Sequence, residues 1–121
     1  MADEKYKWLD ATTRLISLTQ QGKLNWTVAA EDLRPKVAVA SEVFITYFKN
    51  RTLRLYARYV GVVSAWGVTS DKDVVLEFID EHGVTAWRFP DTLALPDLLE
   101  AVQYKFSDVN EFIAELQSFA G

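Results

Sequence analysis

The sequence predicts a single α+β domain over residues 1–121, with an N-terminal helix, a five-stranded antiparallel meander sheet and two C-terminal helices packed on one sheet face. Three observations predict it. A chain of 121 residues fits one domain and can bury about two-thirds of its unfolded surface. Half of its residues are hydrophobic and 13% are aromatic, more apolar material than a disordered chain carries. The apolar period also changes along the chain, from helical to alternating after Gly22 and back to helical after Pro90.

Residues 3–21 form the first predicted helix. Trp8, Ala11, Leu15 and Leu18 recur at helical spacing, flanked by Leu9 and Ile16. Asp3 and Glu4 carry charge that favours a helix N-terminus. Gly22 suits the C′ position, where a left-handed backbone costs glycine nothing. Leu24, Trp26 and Val28 then alternate with polar residues, predicting a strand over 23–28.

Residues 29–36 read as a loop ending near Pro35, and 37–48 as β-rich, with Val43, Phe44, Ile45, Tyr47 and Phe48 supplying branched and aromatic bulk. Lys49-Asn50 is a two-residue turn into the strand 52–59. There Leu53, Leu55, Ala57 and Tyr59 point one way and Arg54, Tyr56 and Arg58 the other. Residues 61–73, interrupted by Gly61, Gly67, Ser70 and Asp71, read as a strand extension followed by a loop. Strands over 74–79 and 84–89 flank the turn Asp80-Glu81-His82-Gly83, and Pro90 ends the second.

The tail returns to helix. Leu95, Leu98, Leu99, Val102 and Phe106 keep the i, i+3, i+4 pattern, with Pro96 tolerated in the first turn. Ser107 is the expected N-cap of a last helix whose stripe is Val109, Phe112, Ile113 and Leu116. Sequential antiparallel strands usually neighbour one another, so a meander is the expected topology.

Composition excludes several chemistries. There is no Cys, so disulfides, thiolate metal sites and cysteine nucleophiles are ruled out. The charged first residues lack an apolar signal region, and no apolar run approaches the roughly 20 residues of a spanning helix. A cytoplasmic location with no membrane association is expected. Neither a G-x-S-x-G elbow nor a glycine-rich phosphate loop occurs. The single His, His82, stands between Glu81 and Gly83 in a turn, where a solvated role is expected rather than general-base work. Asp71, Asp73, Glu77, Asp80 and Glu81 form an acidic run around the second hairpin. Its spacing matches no calcium loop, and it is expected to serve as solvated edge charge. No cofactor is expected, and no catalytic constellation is visible.

Charge is unevenly divided. Residues 34–58 carry six basic side chains against Glu42 alone, a net +5, while the whole chain is −4. Tyr56 lies between Arg54 and Arg58 on one strand face, an arrangement that suits phosphate contact and base stacking. An acidic chain is nevertheless a poor nucleic-acid binder overall. The strand 43–48 is apolar on both faces, which calls for cover on both sides or for a partner. The expected function is a non-enzymatic protein-interaction module, self-associating as a homodimer through an aromatic-rich sheet. Its candidate surface is Phe44, Tyr47, Arg51, Arg54, Tyr56 and Arg58. The alternatives are nucleic-acid binding by the basic hairpin 49–58 and a small-molecule pocket between sheet and helices.

Overall fold

The computed structural model describes residues 2–119, with the side chains of 2–5 and 62 left out. The expected charges of Asp3 and Glu4 therefore lie outside the described side chains. Helix α1 runs over Ala2–Gln20 and closes where the sequence requires. Gly22 takes φ +72° and donates to the Thr19 carbonyl, while Lys23 and Leu24 donate back to Leu18. Thr12 and Thr19, both buried, return their hydroxyls to the carbonyls of Trp8 and Leu15 at 2.8 Å. Thr19 also accepts the indole N–H of buried Trp26 at 3.0 Å, so no polar atom of this contact is left unpaired.

Five strands follow in an antiparallel meander of order β1-β2-β3-β4-β5: Thr27–Val28, Phe44–Phe48, Arg51–Ser64, Gly67–Ile79 and Thr85–Arg88. The β2–β3 turn is the predicted Lys49-Asn50, with φ of 48° and 68°, the geometry of a two-residue hairpin. Helix α2 spans Ala94–Phe106 and helix α3 spans Val109–Phe119.

On one face of the sheet, Phe44, Leu53, Leu55 and Leu76 meet Leu95, Leu98 and Val102 of α2, with Trp8, Leu15 and Leu18 of α1 packed against the cluster. The opposite face is also closed. Ala29, Leu33, Val39 and Val43 pack against Ile45, Tyr56, Val75 and Ile79. The segment 29–43 is therefore a cover rather than a plain connection. It holds one short 3₁₀ turn, Glu31–Leu33, and pairs with the edge of β3 through Ala40 and Tyr59. This corrects the β-rich reading of residues 37–43 and explains why β2 is apolar on both faces.

Two further expectations are corrected. The strand predicted over 23–28 is reduced to Thr27–Val28, because the preceding residues turn the chain out of α1. Only α2 of the two C-terminal helices packs on the sheet. α3 contains no buried residue. Its start differs too: Ser107 ends α2 with its N–H on the Gln103 carbonyl, and Asp108 at φ 51° redirects the chain.

Candidate interaction surfaces

The residues singled out on the first hairpin do not form one surface. Phe44, Arg54 and Tyr56 are buried, Tyr47 and Arg51 are exposed, and Arg58 is half-buried. Antiparallel register places Arg54 opposite Glu77 and Arg58 opposite Asp73. Arg54, 2% exposed, donates from Nε and Nη2 to one carboxylate oxygen of Glu77, 3% exposed, at 2.8 and 2.5 Å. Its Nη1 donates to the carbonyls of Leu33 and Gly83 at 2.8 and 2.9 Å, and Thr85 donates to the second Glu77 oxygen at 3.1 Å. A buried charge needs pairing and full hydrogen bonding, and here both ions have it.

This network ties the cover segment, β3, β4 and the β4–β5 turn into one unit. Tyr56 donates a long 3.4 Å bond to Glu77 Oε1. Burial, and after it the Glu77 charge, raises the Tyr56 phenol above its ordinary value. At the next level Asp73 accepts from Arg58 at 3.0 Å and from Arg88 at 3.1 Å. The basic face of β3 is thus spent on the acids of β4, which is where the opposite charges of the two hairpins meet.

The remaining acids of the second hairpin act locally. Asp80 accepts from the backbone N–H groups of Val84 and His82, each at 2.9 Å, and these bonds hold its carboxyl below the usual range. His82 is exposed beside Glu81 at 3.4 Å. Among the described residues, no three metal-ligating side chains converge. No helix there is long and apolar enough to cross a membrane.

Among the described residues three apolar surfaces stay uncovered. The first is the outer half of the β3–β4 hairpin. It is paired without interruption to Ser64↔Gly67, yet its described side chains from 61 to 72 are all exposed. Trp66 at its tip is 97% exposed, beside Val63 and Val68. The expected strand extension is present, but the loop expected after it is ladder, although the glycines, Ser70 and Asp71 break the alternation. Regular pairing in a two-stranded arm does not require a buried face, so that signal was absent.

The second is α3, whose Phe112, Ile113, Leu116 and Phe119 all face solvent. The third is a cleft of about 660 Å³ between α1 and the sheet. Leu53 and Phe89 lie at its buried floor; Trp8, Leu15 and Leu18 wall one side and Phe48 and Phe78 the other, with Arg14 and Arg51 among its lining. An aromatic cluster closes one end, with Trp8 and Trp87 rings 4.6 Å apart and Phe89 edge-on to Trp8 at 5.2 Å. Of the residues proposed from sequence, only Arg51 lines this cleft. No protein-family model, curated protein or solved structure matches this chain.

Proposed function

We propose that this is a non-enzymatic protein-interaction module that self-associates. One observation carries the reading: α3 is amphipathic and leaves Phe112, Ile113, Leu116 and Phe119 of its apolar stripe exposed, with Val109 half-buried. Contiguous exposed apolar patches mark interaction surfaces. The ionisable groups lend further support, because Arg54, Glu77, Asp73 and Asp80 are each engaged in holding the fold together. Contact through the faces of the main sheet is not part of the reading, since the chain covers them itself.

Sedimentation velocity over a wide concentration range tests the proposal. A dimer that dissociates on dilution is expected. A chain that stays monomeric at every concentration overturns it. The alternative, an apolar small-molecule site, rests on the cleft, whose volume falls within the range of ligand pockets. It requires a compound that raises the melting temperature, because a ligand bound to the native state stabilises it.

The alternative of nucleic-acid binding by hairpin 49–58 is weakened by the loss of Arg54 to a buried pair. It keeps only Lys49 and Arg51 as exposed cations.

A further inference from the structure

We infer that α3 is an exchanged helix: its apolar stripe docks in the α1–sheet cleft of a second copy of this chain, and that copy's α3 docks in return. The inference rests on the self-association proposed above and names the surfaces that produce it.

The helix needs cover. It has 11 residues, while isolated helices shorter than about 12–15 residues are marginal in water and rely on burying an apolar face. Val109, Phe112, Ile113, Leu116 and Phe119 share one face at helical spacing, and none is buried. The cleft offers a matching length. Trp8 to Leu18 along its α1 wall and Val109 to Phe119 along the stripe each span ten residues of helical rise, about 15 Å.

Charge matches as well. Glu115 flanks the stripe beside Phe112 and Phe119, Glu111 lies one turn before it and further round on the polar face, and α3 holds no basic residue. The cleft is lined by Arg14 and Arg51. Arg14 donates to Asp10 of its own helix at 2.9 Å, an exposed pair of small worth that leaves the guanidinium able to take a second carboxylate. Among the described residues Arg51 donates one long 3.5 Å bond, to the Lys49 carbonyl.

The chain's own cleft is the wrong one for its α3. Only Ser107 and Asp108 separate α3 from α2, and the Tyr104 hydroxyl donates to Asn110 Oδ1 at 2.6 Å across that joint. The groove beside α2 is walled by Ile16 and Gln20 of α1. By helical periodicity these lie on the opposite flank of α1 from Ala11, Arg14 and Leu18. α1 therefore stands between α3 and its own cleft. A second copy brings a cleft without that obstacle, and two identical contacts close about a two-fold axis.

A charge exchange on the full chain tests the pairing. Glu111→Lys with Glu115→Lys places lysines against the cleft arginines; Arg14→Glu with Arg51→Glu places glutamates against the α3 acids. All four positions are exposed, so each variant should keep the wild-type circular dichroism. In sedimentation velocity each variant alone should dimerise at least about tenfold more weakly than wild type. An equimolar mixture should recover the dimer, because both contacts of the mixed pair then join opposite charges.

A wild-type dimer that both variants leave intact overturns the α3–cleft pairing while self-association stands. A mixture that fails to recover the dimer overturns it also. A wild-type chain that is monomeric at all concentrations, whether α3 is free or folded back, overturns the pairing and the self-association together.

Discussion

The β3–β4 hairpin is one continuous ladder with two unlike halves. Its root, Leu53 to Ala57 against Val74 to Phe78, is covered on both faces, by helices on one side and by segment 29–43 on the other. Its outer half, from 61 to 72, carries the same backbone pairing and no buried described side chain. The contrast separates two things that a strand diagram merges. Backbone pairing sets the shape of both halves, but only the root contributes packing and a buried ion pair to the fold. Substitutions should therefore cost much at the root and little at the tip.

The largest expected effect is at Glu77. Glu77→Leu leaves the Arg54 guanidinium buried without a counter-charge, and loss of one partner of a buried pair costs about 3–5 kcal/mol. Urea denaturation should record that loss. The double variant Glu77→Leu/Arg54→Met should recover part of it and not all, because the carbonyls of Leu33 and Gly83 then lose their donor. A Glu77→Leu loss below about 1 kcal/mol, the scale of an exposed pair, would show that the root is wet and erase the contrast.

Gly83→Ala comes next. Gly83 sits at φ +81°, and a Cβ there would lie 2.7 Å from the Asp32 carbonyl oxygen, which is backbone and yields little. The turn meets the cover segment at this point, so a destabilisation of more than about 1 kcal/mol is expected, read as a lower urea midpoint. An unchanged midpoint would mean that the cover is not held against the turn.

Tyr56 gives a smaller effect, visible only in alkali. Its phenol is held above the ordinary value by burial and by Glu77, so the unfolded chain releases that proton first. Below the ordinary tyrosine pKa of about 10 both states keep it and the full stability is present. As pH rises through the folded value, unfolding releases a proton and stability falls. Tyr56→Phe should flatten that part of the stability curve. Equal alkaline slopes in the two proteins would mean that Tyr56 is solvated.

Much of this was legible in the sequence. Alternation at Leu53, Leu55 and Ala57 gave the core face of β3, Lys49-Asn50 gave the turn, and the 3.6 period gave all three helices. The cross-strand partners of Arg54 and Arg58 were not legible. Periodicity shows that they face away from Leu55 but not what lies over that face, and the cover comes from 29–43, which reads as a loop up to 36 and as β-rich from 37. A pocket between sheet and helices was among the alternatives, but its lining was hidden for the same reason, since it joins α1 to residues 30 or more positions away. α3 was legible as an amphipathic helix. Its lack of a partner within the chain was not, because a stripe records a need for cover and not its source.

The smallest expected effect is at Trp66. Elsewhere in the molecule a tryptophan is structural: Trp26 is buried on Thr19, and Trp8 stacks among Trp87 and Phe89. Replacing any of those should cost several kcal/mol or a fraction of it in proportion to burial. Trp66→Ser, at the bare tip, should move the urea midpoint by no more than about 0.5 kcal/mol of stability in either direction. It should also remove the emission most open to a soluble quencher. A larger loss of stability would mean that the arm packs against something in solution. In a dilute monomer that surface belongs to the same chain. In a dimer the loss should vanish on dilution, which would add the arm to the contact proposed for α3.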